Sequence, residues 1–169
     1  AFHRSFQLPV VIARPFNTYG PRQSARAVIP TIITQIANGE RKLKLGSITP
    51  TRDFTFVKDT ALGMIAAAEA SSEVLGQDIN LGVGSEISIG DLLKLIFEIA
   101  GKKLDVSQEE KRIRPDKSEV NRLLSDNTRA RTLLKWEPKT SLKAGLTETY
   151  AWIKDNLELY ERAQREYVV

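Results

Sequence analysis

The sequence predicts an α/β fold with a small helix-rich cap, and three observations carry this prediction. Apolar, β-branched runs such as residues 8–13 are typical of strands covered on both faces in a parallel sheet. Segments with apolar residues at helical spacing, such as residues 28–36, alternate with these runs. The last third of the chain contains more helix and loop than strand, which favours a cap beside the sheet.

The first elements are predicted from apolar runs and stop signals. Residues 1–6 have the pattern of the end of a helix, and residues 8–13 that of a buried strand. A helix begins near Val28 and ends at Asn38-Gly39, a typical C-terminal stop. Residues 43–45 are predicted as a short strand.

The middle of the chain repeats this alternation. Residues 54–57 are predicted as a strand, and Asp59 as the cap of an Ala-rich helix. Another strand follows at residues 78–81. Gly82-Val-Gly84 lacks the third glycine of a dinucleotide-binding loop and is therefore predicted to be a turn.

Capping residues define the later helices. Ser88 and Asp91 form a capping-box pattern for a helix that Gly101 ends. Asp126 is predicted to cap a short helix, and Ser141 to start the last one.

Two tryptophans and one tyrosine are assigned to packing. Trp136 and Trp152 are predicted to anchor the core of the cap. Tyr150 and Lys154 have the spacing of a Tyr-x-x-x-Lys catalytic pair, but Tyr150 lies on the apolar stripe of the last helix. We therefore expect Tyr150 to pack against neighbouring helices.

Composition excludes several classes of protein. The hydrophobic fraction of 41% is enough for a core, whereas no stretch approaches the roughly 18 apolar residues of a membrane span. We therefore expect a cytoplasmic protein with no membrane partner. The chain has no cysteine and one histidine, which excludes disulfides and a thiol nucleophile and argues against a metal site.

The net charge of +4 does not indicate a nucleic-acid partner. Basic residues alternate with acidic ones, as in residues 109–112 and 158–166. A nucleic-acid interface would concentrate basic and aromatic residues on one face. A few arginines around one diphosphate would give the same charge excess.

Six motifs in a fixed order carry a family resemblance. They are Arg14-Pro-Phe-Asn-Thr-Tyr-Gly-Pro-Arg22, Val28-Ile-Pro30, Thr51-Arg-Asp-Phe-Thr-Phe-Val-Lys-Asp59, Asn80-Leu-Gly82, Arg112-Ile-Arg-Pro115 and Trp136-Glu-Pro138. In these motifs the chain resembles the extended short-chain dehydrogenase/reductase family of NAD-dependent nucleotide-sugar epimerases and 4,6-dehydratases. Residues 24–30 and 114–120 are most similar to the 4,6-dehydratases, although Arg26 departs from the dTDP-glucose type.

The resemblance implies the C-terminal part of a Rossmann-like doubly wound parallel sheet together with a small substrate-binding cap. Residues 1–24, 54–72 and 78–82 would contribute to the sheet region, and residues 25–53 and 83–169 mainly to the cap. The family's Gly-rich loop, its Tyr-x-x-x-Lys pair and its dehydratase acids precede the strand at residue 8. The chain is therefore expected to be a fragment that is inactive alone and does not bind NAD alone, from a parent enzyme that binds NAD and forms a homodimer.

The same resemblance assigns binding residues. Substrate contacts are implied for Asn17, Arg26, Val28, Lys44, Leu45, Arg52 and Arg114, and cofactor contacts for Pro15 and Phe16. A guanidinium can bind two phosphate oxygens at once, which suits Arg52 and Arg114 to a diphosphate. The alternatives are an ion pair of Arg52 with Asp53 or a neighbour, a solvated loop for Arg114, a turn residue for Asn17, and strand packing for Lys44, Leu45, Pro15 and Phe16.

The expected function is conversion of a nucleotide-linked hexose to its 4-keto-6-deoxy form. The resemblance implies that a tyrosine deprotonates the sugar O4 while C4 gives hydride to NAD, that water then leaves across C5 and C6, and that the hydride returns to C6. One alternative is a nucleotide-sugar 4-epimerase, which returns the hydride to the other face of C4. Another is a binding or structural module without chemistry.

Overall fold

The structure is a computed structural model that describes residues 2–109 and 120–160. Its helices are α1 (Phe2–Phe6), α2 (Val28–Ala37), α3 (Val57–Glu69), α4 (Ile89–Ala100), α5 (Thr128–Leu133) and α6 (Leu142–Asp155), with a 3-10 turn at Ser72–Val74. Its strands are β1 (Ile12–Pro15), β2 (Thr18–Tyr19), β3 (Lys42–Leu45), β4 (Thr51–Arg52), β5 (Thr55–Phe56), β6 (Asp78–Leu81), β7 (Ile87–Ser88), β8 (Asp105–Gln108) and β9 (Arg122–Leu123). None of the helices in these residues is both long and apolar enough to cross a bilayer.

The strands pair mostly in parallel, which confirms the predicted α/β class. Parallel pairs form between β1 and β6, between β2 and β5, and between β3 and β8. Strand β4 lies between β7, which is antiparallel to it, and β9, which is parallel. Connections between parallel partners pass through helices, as parallel pairing requires.

The strand predicted at residues 8–13 begins later and is more open than expected. Pairing with β6 starts at Ile12, because its partner Asp78 is where β6 begins. Leu8 and Val10 precede the strand and are 43% and 38% exposed, and Ile12 is 52% exposed. The prediction of a strand covered on both faces is therefore wrong for the described residues.

Local capping signals predicted most helix ends. Ser88 accepts a hydrogen bond from the Asp91 amide, and Gly101 ends the same helix at φ 63. Ser141 caps α6 by accepting from the Ala144 amide. Asp126 lies one residue before the N-cap of α5 but accepts from the Thr128 amide.

The prediction of Asp59 as a helix cap is wrong. Phe56 is the N-cap of α3, and Asp59 lies within its first turn. The Asp59 carboxylate instead accepts from the backbone amides of Lys139 and Thr140, at 3.1 and 3.0 Å. It joins α3 to the segment before α6, a contact that no local pattern indicates.

Two apolar clusters organise the interior. The larger one joins α2, α4 and α6 to β3 and to the aromatic residues Tyr19, Phe54 and Phe56. The smaller one joins α3, β6 and α5, and it contains Trp136. Trp136 therefore packs together with α5 against α3 and β6, whereas Trp152 packs against the larger cluster.

Candidate functional site

Asn17 and Arg52 come together at the carboxyl ends of two strands. Asn17 lies between β1 and β2, and its Nδ2 donates to the backbone oxygen of Asp53 at 2.9 Å. The Asn17 carbonyl accepts from the Thr55 amide at 3.3 Å. Since Arg52 immediately precedes Asp53, two residues predicted to bind substrate lie beside one another.

Arg52 lies in the central strand of a small sheet. Its register partners are Ile87 in β7 and Leu123 in β9. Its side chain is half-buried, and Nη1 donates to the Thr51 carbonyl at 2.8 Å. Strands on both sides therefore fix the position of the Arg52 backbone.

Asp53 forms a cluster that we name the Asp53 clasp, made of Asp53, Val83, Gly84 and Ser125. The Asp53 side chain is fully buried. Its Oδ1 accepts from the Val83 amide at 2.9 Å, and its Oδ2 accepts from the Gly84 amide at 2.9 Å. Oδ2 also accepts from the amide and hydroxyl of Ser125, at 3.1 and 2.5 Å. These four donors replace the water that a buried carboxylate has lost.

Because Gly82 has no side chain, its backbone can lie close to Ser125 and Asp53, and the clasp can form. A Cβ atom at this position would collide with the Ser125 hydroxyl and lie 3.1 Å from the Asp53 Oδ2. The next two amides, of Val83 and Gly84, point at Asp53. The backbone amides of this turn therefore donate to a carboxylate, and they are not available to bind a pyrophosphate.

Four other predicted substrate residues lie in other elements of the fold. Arg26 is exposed before α2, and Val28 is the first residue of that helix, half-buried. Lys44 is exposed in β3 and lies 3.9 Å from Glu109, whereas the side chain of Leu45 is 3% exposed and packs in the larger cluster. Because β3 pairs with β8, these two residues belong to a different sheet from Arg52.

Arg114 lies outside the described residues, so its convergence with Arg52 stays a prediction. Before it, the Glu109 amide donates to the Leu45 carbonyl at 2.9 Å. After it, the Asn121 carbonyl accepts from the Thr51 amide at 2.9 Å.

Pro15 and Phe16 end β1. Pro15 is exposed and is the register partner of Leu81, whose carbonyl accepts from the Phe16 amide at 3.0 Å. Phe16 is half-buried. Their contact with a cofactor stays a prediction. Tyr150 of the Tyr-x-x-x-Lys spacing packs against the larger cluster, as expected of a structural residue.

Sequence reasoning missed the roles of Asp53 and Ser125. The sequence indicates Asp53 only as a possible ion-pair partner of Arg52 and gives Ser125 no role. One signal in the sequence points to Asp53: it directly precedes the apolar residues of a predicted strand. An acidic residue in such a place is expected to be buried, and a buried carboxylate needs hydrogen-bond donors. Nothing local to the sequence identifies donors 30 and 72 residues away.

The parallel strands, the covering helices and the motif order define a Rossmann-fold protein of the extended short-chain dehydrogenase/reductase class. Residues 1–149 match the model of the GDP-mannose 4,6 dehydratase family. The chain belongs to this family of nucleotide-sugar enzymes, which confirms both the resemblance and the Rossmann-like fold.

Known relatives include epimerases and dehydratases. The chain is 34% identical over 161 residues to the UDP-glucuronate 4-epimerase of Thermodesulfobacterium geofontis, covering 94% of this chain and 47% of the relative. The UDP-glucuronic acid 4-epimerase of Bacillus cereus, solved with UDP-glucuronic acid and NAD, is 33% identical with a TM-score of 0.83, covering 92% of this chain and 48% of that one. The dTDP-glucose 4,6-dehydratase of Bacillus anthracis, solved with NAD, is 25% identical with a TM-score of 0.84, covering 96% and 50%.

The chain thus spans about half the length of the relatives it matches. Because the more similar of these relatives are 4-epimerases, they support the epimerase alternative better than the expected dehydratase.

Proposed function

We propose that this chain forms the substrate-binding part of an NAD-dependent 4-epimerase for UDP-linked hexuronates or hexoses. The hydrogen bond from Asn17 to the Asp53 carbonyl carries the proposal, because it brings the Asn17 amide beside Arg52. The similarity to UDP-glucuronate 4-epimerases supports the choice of base and sugar.

Arg52 would bind the diphosphate. A guanidinium presents parallel N–H donors that match two phosphate oxygens, and it stays charged at every physiological pH. A half-buried position strengthens such a contact because water competes less for it.

Asn17 would contact the sugar or the adjacent phosphate. One of its two amide N–H groups is bound to the Asp53 carbonyl, which fixes the orientation of the amide plane. The other N–H and the amide oxygen can then pair with a hydroxyl, which both donates and accepts.

The described residues bind and orient but carry out no chemical step in this proposal. When bound, NAD would accept and return the hydride at C4 of the sugar. Since the Gly82–Gly84 turn binds Asp53, we assign no pyrophosphate contact to it. We expect this chain to contribute by holding the sugar at a fixed distance from the cofactor.

A 4,6-dehydratase is the second candidate. The family model that matches residues 1–149 describes such an enzyme, and the dehydratase of Bacillus anthracis superposes with a TM-score of 0.84. The two candidates share the diphosphate contact at Arg52 and differ in the reaction that follows oxidation at C4, and the dehydratases named above are enzymes of GDP-mannose and dTDP-glucose.

Calorimetric titration of the 169-residue chain tests the binding role. We expect saturable binding of UDP and UDP-glucuronate, tighter than that of GDP-mannose or dTDP-glucose. Loss of a charge-assisted contact in R52A should weaken UDP binding on the order of ten- to a hundred-fold. The charge-matched variant R131A, at an exposed position in α5, should bind as the wild type does.

Two outcomes would contradict the proposal. One is the absence of binding for every nucleotide sugar tested. The other is an equal affinity of R52A and R131A for UDP. Preference for dTDP-glucose over the UDP sugars would favour the dehydratase candidate instead.

A further inference from the structure

We infer that Asp53 is a positioning residue, whose buried carboxylate fixes Arg52 and Asn17 in the orientation that binds the diphosphate. The inference rests on the proposed function for the identity of the ligand. Its structural basis lies in the contacts of Asp53 alone.

Asp53 bonds to three separate parts of the chain. Its amide donates to the Leu123 carbonyl at 2.9 Å, and its carbonyl accepts from the Asn17 side chain. Its carboxylate binds Gly84 with the neighbouring Val83, and Ser125. Every polar group of this residue is therefore bound to a residue at least 30 positions away along the chain.

These contacts restrain the strands that flank Arg52. Gly84 lies three residues before Ile87, the partner of Arg52 in β7. Ser125 lies two residues after Leu123, the partner of Arg52 in β9. Because one carboxylate holds the segments next to both partners, a change at position 53 displaces both neighbours of Arg52.

Both acceptor oxygens of Asp53 are required, and not only the shape of its side chain. Both carboxylate oxygens accept hydrogen bonds from N–H groups. In the D53N variant one of these oxygens would become an NH2 group, which cannot accept and would face an N–H donor. The amides on that side would lose their acceptor, which favours opening of the cluster.

A ligand-free measurement tests the position of Arg52 directly. In NMR spectra we expect D53N to shift the Arg52 Nε–H signal and hydrogen exchange to accelerate at the Val83, Gly84 and Ser125 amides. D105N makes the same chemical change at an exposed site in β8 and should alter neither. S125A removes the hydroxyl's bond to Asp53 and its longer contact with the Gly84 amide, but it keeps the carboxylate, so it should give a smaller effect and tests the inference if D53N fails to fold.

A ligand titration separates positioning from simple structural support. D53N should weaken UDP binding about as much as R52A, by roughly ten- to a hundred-fold, while the affinity for uridine stays unchanged. Adding R52A to D53N should then weaken UDP binding by less than about three-fold, because Arg52 is already displaced.

The outcomes distinguish the two proposals. If the wild-type chain does not bind UDP, the proposed function fails, and the Arg52 signal still decides the positioning role. An unchanged Arg52 signal in a folded D53N or S125A variant overturns the inference. The inference is also overturned if R52A weakens UDP binding by the same factor in the D53N background as in the wild type.

Discussion

The indole nitrogen of Trp136 donates to the backbone oxygen of Asp59 at 3.0 Å, across 77 residues of sequence. The carboxylate of the same Asp59 accepts from the amides of Lys139 and Thr140. Helix α3 is thus joined to the segment before α6 by three hydrogen bonds to one residue. Burial raises the pKa of the nearby Tyr19 phenol far above its ordinary value, and the Asp59 charge raises it further, so Tyr19 stays a donor to the Leu142 carbonyl.

Removing the Asp59 carboxylate should destabilise the fold. D59A leaves the Lys139 and Thr140 amides without their acceptor, and we expect a loss of about 2 to 3 kcal/mol in the free energy of unfolding. Urea unfolding measures this change. E69A, at an exposed position in the same helix, should stay within about 0.5 kcal/mol of wild type. Equal stabilities of the two variants would show that the junction contributes nothing.

Gly82 should not tolerate a side chain. An alanine Cβ would collide with the Ser125 hydroxyl, so we expect G82A to unfold more easily by about 1 to 3 kcal/mol. Gly90, in helix α4, provides the matched control, because a Cβ added there would have its nearest contact at 3.4 Å and would not collide. Thermal unfolding compares the two variants, and G90A should be as stable as the wild type or slightly more stable. A G82A variant as stable as G90A would contradict the tight clasp.

Acid should weaken the sheet around Arg52 through Glu86. Hydrogen bonds from Thr51 and then Arg122 hold the pKa of this carboxyl below its ordinary value of 4.5. A depressed folded-state pKa means that Glu86 stabilises the fold above pH ~4.5, and that this contribution is lost as the pH falls. E86Q should therefore flatten the decline of unfolding free energy between about pH 5 and pH 3.

Urea titrations across that pH range measure the slope. T51V removes the hydrogen bond that lowers the pKa most and should flatten the slope in part. An unchanged slope in E86Q would remove Glu86 from the acid response.

The open apolar face beside β1 should promote self-association. Together with Phe2, the side chains of Leu8, Val10 and Ile12 line a groove between α1 and β1. A lysine at position 12 places charge on this face, and I12K should sediment as a smaller species than wild type at the same concentration. L159K, at an exposed leucine outside this groove, should leave the sedimentation coefficient unchanged. An identical profile for I12K would mean that this face does not drive association.

Helix ends and strand positions could be predicted because the interactions that define them span only a few residues. Ser88, Gly101 and Ser141 act within one turn of their own helices, and β6 coincides with the predicted residues 78–81. The strand at residues 8–13 was less well predicted, because its limits depend on where its partner begins.

The motifs alone pointed to Arg52 and Asn17, and a guanidinium or a side-chain amide has the same binding chemistry wherever the chain places it. Tertiary structure decided that these two residues lie together, that Leu45 turns into the core, and that Asp53 holds remote amides. The physical reason is burial. Once Asp53 loses water, it must accept hydrogen bonds from whatever donors folding brings to it, and their distance along the chain is invisible in any local pattern.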